Sequence, residues 1–197
     1  MNLFRIFFFG FGRDVGSFDS CDSFELMKGY RMDGSADKAQ NKQTSLGLRE
    51  QAFNIKISDL KDIQPLGDYG IYGVIMEMGY PQGAGTVVCF ITGDASVYFS
   101  NGGGMIGGIA HETVRKAGLN LVHASLNVIT MLQKTEVHPF PREGWTIFYV
   151  LTKDGMYAAQ AMTNDLGKKL NPLSPLFYAG NEVITAFRLI DQAGQGK

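Results

Sequence analysis

The chain has 197 residues, 45% hydrophobic and 19% charged, which fits one globular domain with a real core. A formal net charge of -1 gives no basic field for nucleic acid and no acidic field for a cationic partner. The two cysteines, Cys21 and Cys89, stand far apart without Cys-x-x-Cys spacing, which argues against a disulfide framework or a four-thiolate zinc site and for a reducing cytoplasm.

Residues 1–11, from Met1 to Phe11, read Met-Asn-Leu-Phe-Arg-Ile-Phe-Phe-Phe-Gly-Phe and are the most apolar stretch of the chain. A transmembrane helix needs about 20 apolar residues, so this stretch is too short to span a bilayer. The Gly12-Arg-Asp sequence after it offers no small-residue cleavage site. Two readings stay open: a strand or edge segment docked on the domain, and a peripheral membrane foot with Arg5 at the headgroups. From 12 to 51 the composition turns polar, which predicts an exposed loop or linker too poor in apolar groups to offset chain entropy. Three parts are therefore expected: an apolar segment and linker over 1–49, one α+β domain over 50–192, and a disordered tail over 193–197.

Within the domain, 72–78 (Tyr-Gly-Val-Ile-Met-Glu-Met) is apolar on both faces, as a central strand would be. The β-branched run 86–92 and the run 95–100 complete an antiparallel meander, because Gly93-Asp94 leaves room only for a hairpin. The spacing of Val114, Ala117, Leu121, Ala124, Val128 and Leu132 predicts one helix over 109–133. Pro139 and Pro141 break the chain, and 145–152 with 156–162 form a second hairpin around Lys153-Asp-Gly155. The last helix is expected to begin with Ser174 as cap and Pro175 in the first turn, burying Leu176, Ala179, Val183, Ala186 and Ile190.

The resulting order, β-β-β-α-β-β-α, predicts an α+β fold with a five-stranded antiparallel sheet and two long helices. That order resembles the profilin-like group, including the roadblock and longin domains, over residues 50–192. The segments Met-Glu-Met-Gly-Tyr-Pro, Tyr-Phe-Ser-Asn-Gly-Gly-Gly and Leu-Ser-Pro-Leu-Phe-Tyr are similar to a bacterial family of uncharacterised proteins. Neither resemblance brings catalytic residues with it.

Candidate chemistry centres on Asn101-Gly-Gly-Gly-Met-Ile-Gly-Gly, between a strand and a helix. Gly102-Gly-Gly-Met-Ile-Gly formally matches Gly-x-Gly-x-x-Gly, a context that can bind phosphate on backbone amides. The preceding strand belongs to a hairpin, no parallel βαβ unit follows, and the Gly-Lys-Ser/Thr ending of a P-loop is missing. A sharp turn from sheet to helix accounts for the same glycines. The candidate ligand-binding set is Asn101, Gly103, Gly104, Gly107, Gly108, His111 and Glu77.

His111-Glu112 opens like a zincin helix, but position 115 is Arg and no second histidine follows at the needed spacing. Glu77 interrupts an apolar strand; an exposed face or a strand end beside Gly79 accounts for it, whereas on a covered face it must be paired or protonated. No catalytic set, metal site or cofactor is expected. The expected activity is that of a binding or scaffolding domain acting through a sheet edge or helix face on a protein partner or a second copy. The alternative is a small-molecule or anion binder, or an enzyme, built on the glycine loop and His111. Nucleic acid is not an expected partner.

Overall fold

A computed structural model describes residues 35–195; the apolar segment 1–11, Cys21 and positions 196–197 lie outside the described residues. Seven strands form one sheet in the order β4-β3-β2-β1-β6-β7-β5, and every neighbouring pair is antiparallel. They are β1 (Ile71–Tyr80), β2 (Gly83–Phe90), β3 (Ala95–Phe99), β4 (Gly104–Met105), β5 (Gln133–Thr135), β6 (Trp145–Thr152) and β7 (Gly155–Met162). The helices are α1 (Ser35–Asn54), α2 (Glu112–Ala124), α3 (Thr163–Gly167) and α4 (Ser174–Gln195).

The expectation of five strands and two long helices is therefore corrected, among the described residues, to seven strands and four helices. Each addition has a physical reason for escaping the sequence pattern. β4 has two residues and β5 three, too short for a period-2 alternation to register. The helix expected over 109–133 stops at Ala124. There the Ser125 hydroxyl donates to the Val122 carbonyl at 2.7 Å, and the chain continues as two short 3-10 turns into β5. At the other end α4 reaches Gln195, inside the tail expected to be disordered. Ser174 does not cap it with its side chain, since its Oγ has no hydrogen-bond partner; the Asn171 carboxamide takes the Leu173 amide instead.

Residues 35–51, expected to belong to a linker, lie in α1. Its inward stripe is Ser45, Leu48, Arg49, Ala52 and Phe53, at steps of three, one, three and one. Those steps are helical, but the stripe holds a serine and an arginine where an apolar pattern was sought. The Ser45 hydroxyl donates to the Gly103 carbonyl at 3.2 Å, and the Tyr98 hydroxyl reaches the Leu48 carbonyl. Phe53 meets the Tyr149 ring edge-on at 5.0 Å. Thus α1 crosses the sheet from the β3–β4 turn to β6.

Alternation along the strands sends side chains into two cores. Val74, Met76, Met78, Val87, Cys89, Val97, Phe148 and Val150 face α2 and α4. Tyr72, Ile75, Val88, Phe90, Tyr98, Ile147, Tyr149 and Leu151 face α1 and the segment that follows it. Both faces of β1 are covered, which explains its burial at all but the last position. No helix among the described residues is long and apolar enough to cross a membrane.

Candidate functional site

Glu77 lies on the α1 face of β1, opposite Thr86 of β2 and Ile147 of β6, with its side chain fully buried. The exposed or strand-end position that accounts for it in the sequence is replaced by a covered one. Its charge is met by Arg49 from α1. Nε donates to Oε1 at 2.7 Å and Nη2 to Oε2 at 2.8 Å, a fork-on-fork pair. The Thr86 hydroxyl donates to Oε1 at 2.8 Å. Arg49 Nη2 also donates to the His138 carbonyl, and Nη1 to Glu50 at 3.0 Å.

Desolvation lowers the Arg49 pKa, but the hydrogen bond and charge of Glu77 outweigh it and leave the guanidinium above its usual range. The guanidinium lies over the Phe53 ring at 4.8 Å and the Phe140 ring at 3.9 Å. His138 stacks on Phe53 at 4.1 Å, and its Nε2 lies 3.2 Å from Glu50. That hydrogen bond is the largest cause of a Glu50 carboxyl held below the usual carboxylate range. A carboxylate with both oxygens engaged and no exposure is placed to hold α1 on the sheet, with little left for attack on a substrate.

The glycine loop is the turn from β3 through β4 to α2. Asn101 is exposed at its tip, Gly103 accepts from Ser45, and Gly104 pairs with Tyr98 in the sheet. Gly108 is packed so tightly that a Cβ would stand 2.5 Å from Val114 and 2.7 Å from Phe187. Gly103 and Gly107 have φ of 85° and 81°, the left-handed region that glycine enters without strain. The loop meets the Glu77 cluster through α1, where Ser45 and Arg49 are one helical turn apart, and through β3, whose Tyr98 pairs with Gly104 on one side and Thr86 on the other.

Asp94, read in the sequence as part of the hairpin turn, also lies in this region. Burial raises its carboxyl above the usual range, opposed by hydrogen bonds from the Ala95 and Ile109 amides. The Ile109 amide lies in the turn just before α2, and Glu112 stands in the first turn of α2. A phosphate drawn to these amides would face two carboxylates already there. His111 supplies no side-chain cap to α2. Among the described residues, no group of three His, Cys, Asp or Glu side chains could hold a metal ion.

Gly107→Ala isolates the loop's conformational role, because a Cβ there would meet nothing within 4 Å. The substitution should cost about 1 kcal/mol in a denaturant melt, through the positive φ alone. A loss near zero would show that the turn relaxes away from this conformation.

A concave surface lies elsewhere. A groove of about 410 Å³ opens on the α1 face beyond the end of α1, within the range of ligand pockets. Ile147 and Tyr149 of β6 and Ala158, Ala159 and Gln160 of β7 line it, together with Met131, Gln133, Val137 and Pro139. The chain from 136 to 142 crosses this face from β5 toward β1. Its path is held by the Tyr149 hydroxyl donating to the Pro139 carbonyl at 2.8 Å and by Phe140 over Arg49. None of the seven sequence-predicted site residues lines the groove.

Beside the groove, β5 pairs with β7 only at 156–158. Ala159, Gln160, Ala161 and Met162 pair with β6 on one side and, among the described residues, with no strand on the other. Edge strands are ordinarily blunted by charge or proline, and this one carries neither. No family model, curated protein or solved structure matches the chain.

Proposed function

We propose that the chain is a binding domain that takes an extended apolar segment along the outer edge of β7, with side chains of the segment in the groove. The observation that carries this reading is the juxtaposition of an uncharged strand edge at 159–162, unpaired among the described residues, with a groove lined by apolar side chains and by Gln133 and Gln160. Backbone pairing at the edge supplies affinity and alternate side chains in the groove supply selectivity, as in other strand-addition modes. Four of the eight large apolar residues exposed among the described positions flank this region: Met131, Val137, Phe140 and Met162. Scattered exposed apolar residues need no explanation, but clustered ones mark an interaction surface.

The test is a fluorescence titration with a short labelled peptide of alternating Phe and Ile. The protein used is the full chain carrying Phe7→Asp and Phe9→Asp, so that its own apolar segment does not compete. Saturable binding is expected, weakened about tenfold or more by adding Val137→Asp, since truncating or charging a central apolar contact costs at least that much. Peptide binding that Val137→Asp leaves unchanged would overturn the reading.

A further inference from the structure

Residues 1–11 hold five phenylalanines with Met1, Leu3 and Ile6 and a single charge, Arg5. Written at a period of two, Leu3, Phe7, Phe9 and Phe11 share one face with Arg5, while Phe4, Ile6 and Phe8 share the other. A strand apolar on both sides suits a position where both faces are covered. At the outer edge of β7 Ala161 is buried and Ala158 and Ala159 are half-buried, whereas Gln160 and Met162 are exposed, so an apolar strand added there would cover surface that the described residues leave open. Ala158, Gln160 and Met162 point to the groove face, and Ala159 and Ala161 to the face carrying α2 and α4. The small alanines leave room for large neighbours on the next strand.

The tether is long enough. Residues 12–34 join Phe11 to Ser35, a length of chain that reaches about 80 Å at full extension. α1 is about 30 Å long, and Ser45, which meets the β3–β4 turn, lies about 15 Å from its start, so the tether begins on the side of the sheet away from β7 and its full extension still spans the distance to the groove.

We propose that residues 1–11 of the same chain occupy the groove, adding an extended strand to the free edge of β7 at Ala159–Met162. This rests on the binding-domain reading above and names its resident occupant. An external segment must then displace the chain's own, which makes residues 1–11 a built-in competitor.

Two measurements on the full-length protein test it. In the first, a photoreactive benzophenone side chain replaces Phe7, and the crosslinks formed are mapped by mass spectrometry. Links within one chain to Met131, Val137 or 158–160 are expected. Links confined to other regions, or found only between copies, overturn the proposal. In the second, hydrogen exchange is followed at 159–162 in the native chain and in the Phe7→Asp/Phe9→Asp protein. The outward amides should exchange about tenfold faster or more in the variant, while those of β1 stay unchanged.

Equal exchange in the two proteins overturns the proposal, including where the same variant loses binding to phosphatidylcholine vesicles containing phosphatidylserine. The outcomes separate the two levels. If the alternating peptide slows exchange at 159–162 of the variant although residues 1–11 do not protect that edge in the native chain, the binding domain stands and its resident occupant falls. If the peptide gives no protection and no Val137-dependent binding, both fall.

Discussion

Arg49→Met should destabilise the protein by about 3–5 kcal/mol, because it leaves Glu77 as an uncompensated charge in a fully buried position. The loss has three sources in the structure. Two charge-assisted hydrogen bonds to Glu77 disappear, the His138 carbonyl loses a donor, and the guanidinium no longer stacks between Phe53 and Phe140. Glu77→Gln is the complementary change. It keeps the volume and leaves an amide oxygen for the Thr86 hydroxyl, but strands the Arg49 charge.

The double variant should recover much of the loss, since a buried ion pair replaced as a unit is often close to neutral. A thermodynamic cycle by urea denaturation checks this, with a coupling of about 1–3 kcal/mol as the expected result. Additive losses would mean that the two residues do not meet in the folded protein. Because Arg49 is the main polar tie between α1 and β1, the single variant should also speed hydrogen exchange along α1 more than along α4.

That ion pair also explains how the sequence misleads about α1. A helix is read from an apolar stripe, and this one presents Ser45, Arg49 and Ala52 to a sheet that answers with Glu77, Thr86 and Tyr98. The signal was divided between two places. A lone carboxylate in an apolar strand requires a partner, and an arginine at helical spacing with Leu48 and Phe53 is one, but 28 residues separate them. By contrast, β1, β2, β3, β6 and β7 were legible because Val, Ile, Phe and Tyr alternate between two covered faces with Gly and Asp at the reversals. Glycines 103 and 107 were legible as turn positions for the same local reason. The groove was not legible, since a long-range crossing of 136–142 over β6 builds part of its lining and no spacing in the chain encodes that path.

The crossing depends on one residue without a side chain. At Gly79 an added Cβ would stand 2.1 Å from the Arg142 carbonyl oxygen and 2.8 Å from that of Pro141, both backbone atoms that cannot rotate aside. Gly79 does not have a positive φ, so the requirement is for space and not for an unusual backbone angle. Gly144 is the opposite case: its φ is 75°, and a Cβ there would meet nothing within 4 Å. Gly79→Ala should therefore cost about 3 kcal/mol by forcing the crossing away from β1, and Gly144→Ala about 1 kcal/mol by strain alone. The two also differ in reach. The Gly79 carbonyl accepts the Gly144 amide at 3.1 Å, so displacing the crossing loosens that bond and shifts Pro139 at the groove. Gly79→Ala should thus raise hydrogen exchange over 138–144 and weaken binding of the alternating peptide beyond its effect on folding. Gly144→Ala should leave binding unchanged once its melting shift is allowed for. Equal losses from the two substitutions, with exchange over 138–144 unaltered, would show that the crossing does not press on β1 and that its close approach is not what shapes the groove.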